Sequence, residues 1–99
     1  MEESFSLSSR VQAVENVNFR EVHGEVVLLN LKTGFYYGLN SLGARIWQLI
    51  QENQSLGTIL SLLLEEYEVP KEQCSRDLFS LVSLMRQKGL VEVLNEEAA

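Results

Sequence analysis

The sequence predicts an α+β domain in which a three-stranded antiparallel sheet is followed by three helices. Three β-rich runs with short glycine-containing turns occupy the first forty residues, a pattern typical of a meander. The apolar spacing then changes from two residues to the helical spacing of three and four, beginning at Leu42 and Ile46. A chain of 99 residues, 45% of them hydrophobic, is long enough for one such domain with a modest core.

The three strands are predicted from composition and turn residues. The first covers Val17–Val22, and a turn at His23-Gly24 leads to the second, Glu25–Leu31, which is nearly all apolar and is expected to be covered on both faces. Gly34 suits a left-handed position before the third strand, Phe35–Leu39. Because the second strand lies in the middle of a meander, the third lies on an edge of the sheet.

The helices are predicted from capping residues and apolar spacing. The first covers about 42–52 and is capped by Asn40 or Ser41, and the second follows an N-cap at Ser55 and ends near residue 67. The third starts at Pro70 and continues to residue 88. Gly89 then suits the C′ position, with Leu90 contacting Met85 in a Schellman-type ending.

Charge and cysteine content exclude several classes of protein. A formal charge of −6, from 14 acidic and 8 basic residues, disfavours nucleic acid as a partner, because phosphate binding depends on Lys and Arg. The chain has one cysteine, no signal-peptide pattern and no apolar run of about 20 residues, so we expect no disulfide within the chain and no membrane span. A cytoplasmic location is expected.

Residues suited to catalysis are few. His23 lies in a predicted turn, and Cys74 lies in the first turn of a helix, where it is either an ordinary semi-buried thiol or one activated by the helix dipole. Neither has an adjacent acid–base partner in the sequence, and no metal-ligand spacing or glycine-rich phosphate loop is present. We therefore predict a protein that is not an enzyme and that holds no cofactor or metal.

The third helix has more apolar surface than one core contact requires. Its apolar residues spread over roughly 220°, about twice the width of a single buried stripe. The helix is therefore sandwiched between two elements, or forms a homodimer contact, or lines a groove. In the groove interpretation Phe79 and Val82 point inward while Leu81, Leu84 and Met85 face the groove. An apolar groove beside an unpaired strand edge is suited to accepting an added peptide strand.

Three segments carry a resemblance to a known family: Glu25–Leu31, Thr33–Asn40 and Gly43–Trp47. Together with the pattern of the third helix and the following Gly89-Leu90-Val91, they resemble the PqqD-like proteins that bind precursor peptides, over roughly residues 17 to 94. The resemblance implies a winged-helix-like fold, with residues 11–94 as the single recognition domain between a flexible N-terminus (1–10) and a flexible tail (95–99). Short extended pieces are possible at Val11–Val14 and Val91–Leu94.

The resemblance also implies a function, the binding of the leader segment of a ribosomally made, post-translationally modified peptide. The leader is expected to add an antiparallel strand between the third strand and the third helix. Among subfamilies the chain looks most like the leader-binding protein of lasso-peptide biosynthesis, whose partners are a leader peptidase and an ATP-dependent cyclase. A recognition element of a pyrroloquinoline-quinone or radical-enzyme pathway, and a winged-helix DNA-binding regulator, are the alternatives.

Residues expected to bind the peptide follow by position from the resemblance. Asp77 lies on the same side of its helix as Leu81 and Leu84, and is either a partner for a polar or basic leader group or a solvated carboxylate. Tyr36 and Tyr37 must point to opposite sides of the sheet, and which of them faces the core stays open at this point. The full expected set is Phe35, Tyr36, Tyr37, Gly38 and Leu39 for the strand edge, and Asp77, Leu78, Leu81, Leu84 and Met85 for the helix wall.

Overall fold

Five strands and three helices make up the protein, in a computed structural model that describes residues 6–52 and 54–94. In chain order they are β1 (Arg10–Ala13), β2 (Val17–Val22), β3 (Glu25–Asn30), β4 (Tyr36–Leu39), α1 (Ser41–Gln51), α2 (Leu56–Glu66), α3 (Lys71–Gln87) and β5 (Val91–Leu94). The predicted α+β class is confirmed. The three antiparallel strands of the larger sheet, β2 to β4, precede the three helices, and β2 has the bounds predicted for the first strand.

The larger sheet has the order β2-β3-β4, with both neighbouring pairs antiparallel. His23 and Gly24 form the turn between β2 and β3, with φ angles of 54° and 80°, and Gly34 has a φ of 82° just before β4. A positive φ strains most side chains, so a glycine at position 34 allows the chain to reverse tightly before β4. As predicted, β3 lies in the middle and β4 lies at an edge.

A second sheet pairs the two outermost elements of the described chain. β1 and β5 are antiparallel, with Arg10 opposite Leu94 and Ala13 opposite Val91. The segment just before β1 is also attached, because the backbone nitrogens of Leu56 and Gly57 donate to carbonyl oxygens of residues 9 and 7, at 2.9 Å and 2.7 Å. Leu7, Ser9 and Arg10, in the segment expected to be a flexible end, therefore contact the start of α2. Residues 1–5 and the expected tail 95–99 lie outside the described residues.

The core lies between the helices and one face of the larger sheet. Val26 and Leu28 of β3 point into it, together with Ile46 and Trp47 of α1. The expectation that β3 is covered on both faces is wrong, because Val27, on the opposite face, is 38% exposed. The helices pack on the Leu28 face, so the apolar side chains of the other face remain open to solvent.

Capping interactions fix the start of α1 and the end of α3. Asn40, rather than Ser41, caps α1, and its Oδ1 accepts a hydrogen bond of 2.9 Å from the Gly43 backbone nitrogen. α3 ends in the predicted Schellman arrangement, in which the Leu90 nitrogen donates to the Met85 carbonyl at 2.8 Å and Gly89 has a φ of 74°. The chain therefore turns sharply from α3 into β5.

Candidate functional site

The backbone of β4 offers hydrogen-bonding groups along its outer edge. In the described part of the chain β4 pairs with β3 alone, and the Asn30 nitrogen donates to the Phe35 carbonyl at 2.9 Å. Residues of an antiparallel strand point their backbone groups alternately toward and away from the partner strand. Since Phe35 points toward β3, so does Tyr37. The N–H and C=O groups of Tyr36 and Gly38 therefore point away from β3, toward α3.

A groove with two depressions lies between β4 and α3, and we call it the β4–α3 groove. The depression nearer the start of α3 has a volume of about 270 Å³. The one nearer the end of α3 has a volume of about 150 Å³. The first is lined by Tyr37, Gly38, Leu39, Asn40, Leu42, Gly43, Ile46, Asp77 and Leu81, and the second by Asn30, Phe35, Tyr36, Tyr37, Lys88 and Leu90. Tyr37 contributes to both, so the two depressions form one continuous surface.

The two tyrosines of β4 have different roles. Tyr37 lies opposite Leu28 on the core face of the sheet and is half-buried against the core. Tyr36 lies opposite Leu29 on the other face and is 73% exposed. Tyr37 is therefore the tyrosine that faces the helices, which answers the question that the sequence left open.

The predicted helix residues do not all reach the groove. Asp77 and Leu81 line its first depression. Leu78 and Met85 are completely buried in the core, so they hold α3 in place beneath the groove and do not form its surface. Leu84 is half-buried and lines a separate depression beside Phe79, which is itself half-exposed and does not point fully inward as expected.

The structure adds residues to the groove that the sequence did not assign to it. Leu42 and Ile46, in the first turns of α1, close one end of the groove, and Lys88 and Leu90 line the other. The contribution of α1 could have been inferred, because only Asn40 separates β4 from that helix. Lys88 follows Asp77 by eleven residues, three helical turns, which places both on one side of α3.

Asn30 connects the two walls of the groove. It is a buried polar residue at the end of β3, and its Oδ1 accepts hydrogen bonds from the backbone nitrogens of Lys32 (2.9 Å) and Thr33 (3.3 Å). Its Nδ2 donates to the carbonyl oxygens of Lys88 and Gly89, both at 3.4 Å. One side chain thus holds the turn before β4 against the end of α3.

The described residues offer little for catalysis. Burial raises the pKa of the Cys74 thiol, and the negative charge of Asp77 raises it further, so the thiol is protonated near neutral pH. Hydrogen bonds from Arg45 lower the pKa of Glu66, and this pair joins α1 to α2 at 2.7 Å. Within residues 6–52 and 54–94, no group of three or more His, Cys, Asp or Glu side chains is arranged to hold a metal ion.

Comparison with known proteins assigns this chain to a protein family. The sequence profile described as Coenzyme PQQ synthesis protein D (PqqD) matches residues 25–91, from β3 to the first residue of β5. The chain belongs to the PqqD family. The matched segment contains β4 and α3, so both walls of the β4–α3 groove lie within the PqqD match. No curated protein matched the sequence.

Two solved structures are similar to this PqqD-family chain over most of its length. One is TbiB1 in complex with the TbiA(β) leader peptide, with 33% sequence identity, a TM-score of 0.78, and coverage of 89% of this chain and 99% of that chain. The other is lasso peptide synthetase B1 complexed with the leader peptide, with 25% identity, a TM-score of 0.78, and coverage of 84% and 98%. No described helix of the present chain has the length and apolar character needed to cross a membrane.

Proposed function

We propose that this PqqD-family protein binds the leader segment of a ribosomally made precursor peptide, in lasso-peptide biosynthesis. The observation that carries the proposal is that the backbone groups of Tyr36 and Gly38 point into the β4–α3 groove, whose walls include the apolar side chains of Leu81 and Leu90. An added antiparallel strand would satisfy these groups, and its alternate side chains would enter the two depressions. Leu81 and Tyr37 supply apolar walls for those side chains.

The similar structures support this function and its subfamily. Both are complexes with a leader peptide, and one is a lasso peptide synthetase B1. The structural alignments cover 99% and 98% of those two chains, so nearly the whole fold of each is present in this protein. The family profile is described as a coenzyme PQQ synthesis protein, whereas one of the two similar structures is a lasso peptide synthetase B1, and this structure favours the lasso pathway.

The proposed role is delivery and not catalysis. The buried, protonated thiol of Cys74 is unsuited to nucleophilic attack. The bound leader would bring the precursor to a leader peptidase and an ATP-dependent cyclase, the partners that the lasso resemblance implies. Since precursor peptides of this kind are made by ribosomes, we place the protein in the cytoplasm.

Charge argues against the alternative of a DNA-binding regulator. A recognition helix in the major groove requires basic and polar side chains directed at bases and phosphates. The exposed residues of α3 include Glu72 and Asp77 beside Lys71 and Arg76, and the whole chain carries a net charge of −6. The duplex would be repelled by much of this surface.

Amide hydrogen exchange tests the proposed function. The probes are the TbiA(β) leader, which the similar TbiB1 structure holds, and the leader of any short precursor peptide found encoded near the gene for this protein. We expect the Tyr36 and Gly38 amides to gain protection. The Phe19 and Glu21 amides serve as matched controls, because they point outward from the opposite edge of the same sheet and should not change. Absence of binding at tens of micromolar peptide would overturn the proposal.

A further inference from the structure

Two opposite charges stand at the two ends of the β4–α3 groove. Asp77 lies in the first depression and Lys88 in the second, and they are the only charged residues among the described residues that line either one. Neither makes an ion pair with another described residue, whereas Arg45 and Glu66 pair with each other elsewhere. The groove therefore has a negative end and a positive end.

The direction of a bound strand follows from the direction of β4. β4 runs from Tyr36, beside Lys88, to Leu39, beside Asp77, and α3 runs the opposite way. A peptide added antiparallel to β4 therefore runs along α3 in the same direction as the helix. Its N-terminal part lies near Asp77 and its C-terminal part near Lys88.

The spacing of the two charges can be converted into peptide residues. Eleven helical residues separate Asp77 from Lys88, a rise of about 16 Å. An extended strand covers that distance in about five residues. Side chains that face the same wall are separated by an even number of residues, so the matching pair in the peptide is four or six residues apart.

We propose, on the basis of the leader-binding function above, that the groove selects the charge polarity of its peptide. The preferred leader segment carries a basic side chain near the start of the added strand and an acidic side chain four or six residues later. The one or two side chains between them that face the same way are apolar and enter the depressions beside Tyr37. A peptide with the two charges exchanged places like charges together at both ends and binds more weakly.

Asp77 is the more informative of the two residues. Lys88 caps the end of α3, where a positive charge also complements the helix dipole. Asp77 is the seventh residue of the helix, beyond the first turn where the dipole stabilises a carboxylate. The helix dipole therefore does not explain why a carboxylate stands at this position of the groove.

A display library of random 12-residue peptides tests the proposal without knowledge of the natural leader. Peptides selected on the wild-type chain are expected to carry Lys or Arg before Asp or Glu at the stated spacing. One selected peptide and a copy with its two charges exchanged are then compared by fluorescence anisotropy. We expect about tenfold weaker binding of the exchanged copy, and a smaller difference at high salt. The Asp77→Lys/Lys88→Glu variant should reverse the preference.

The outcomes separate this inference from the function on which it rests. The charge polarity would be overturned if the two copies bind with equal affinity, or if the selected peptides carry no charges. Strand addition would still stand in that case, provided that the Tyr36 and Gly38 amides are protected. If neither the selected peptides nor the leader protects those amides, the proposed function fails as well. Both substituted residues are exposed, so the double variant should stay folded, with a modest loss of stability because a negative charge replaces Lys88 at the end of α3.

Discussion

The side-chain nitrogen of Asn30 lies 3.4 Å from the carbonyl oxygen of Gly89, a residue 59 positions away in the chain. This contact is part of a set in which both polar atoms of one buried side chain have backbone partners. It joins the turn that leads into β4 to the end of α3. The width of the groove at its second depression therefore depends on Asn30.

Replacing Asn30 by alanine should destabilise the fold and widen the groove. The change removes the partners of the Lys32 and Thr33 nitrogens and of two carbonyl groups, which we expect to cost about 2 to 3 kcal/mol of unfolding free energy. Urea denaturation measures this loss. Asn18→Ala, at an exposed position of β2, is the matched control and should change stability by less than about 0.5 kcal/mol. Equal stability of the two variants would contradict the role of Asn30.

Proline at Gly38 should weaken leader binding while the sheet persists. The Gly38 N–H points toward α3, so its removal deletes a hydrogen bond to the peptide and leaves the ladder with β3 intact. We expect about a tenfold increase in Kd, measured by isothermal titration calorimetry. Gly38→Ala is the control, because it keeps the N–H and its added Cβ meets nothing within 4 Å. Proline at Tyr37, whose N–H faces β3, should instead disrupt the sheet.

A charged side chain at position 81 should abolish leader binding while most of the folding stability is kept. Leu81 lines the first depression and is only partly buried, so Leu81→Lys should abolish measurable leader binding at an expected cost of about 1 kcal/mol in stability. Ser83→Lys introduces the same charge two residues later, on the side of α3 that holds Phe79. That control should bind the leader normally. Unfolding of the Leu81→Lys variant would show that Leu81 belongs to the core.

Stability should fall as the pH rises above about 8.5, because of Cys74. Burial raises the pKa of its thiol in the folded state, so above the ordinary thiol pKa the unfolded chain loses a proton that the folded chain retains. The contribution is fully present below pH 8 and decreases with rising pH. Thermal melts of the wild type and of Cys74→Ala between pH 7 and 10 measure it. The alanine variant should lack this part of the pH dependence, and identical pH profiles would contradict the assignment.

Local signals were sufficient for the strands and the helix ends. A turn at His23-Gly24, an N-cap before α1 and a glycine at the end of α3 each depend on a few neighbouring residues, and each lies where it was predicted. The edge position of β4 followed from the meander. The family resemblance then predicted a peptide-binding set on β4 and α3, and the structure brings three members of that set, Tyr37, Asp77 and Leu81, together in one depression.

Properties that depend on distant contacts could not be predicted. The apolar spread of α3 does not indicate which direction is the core, and packing against α2 and β5 decides that Leu78 and Met85 are buried. Val27 was expected to be covered, because an apolar strand looks the same whether one face or both are buried. The pairing of β1 with β5 joins segments about 80 residues apart, and no local pattern reports such a contact.

That pairing has a consequence for how such a domain can be built into larger proteins. Arg10 and Leu94 are opposite each other on neighbouring strands, so the chain enters and leaves the domain at one place on its surface. A domain of this kind can be inserted into a surface loop of a host enzyme without forcing the two sides of that loop apart. By the same geometry, a linker from residue 94 to residue 6, which keeps the carbonyl groups of residues 7 and 9 bonded to the start of α2, with a new opening at His23-Gly24, should yield a circular permutant that folds.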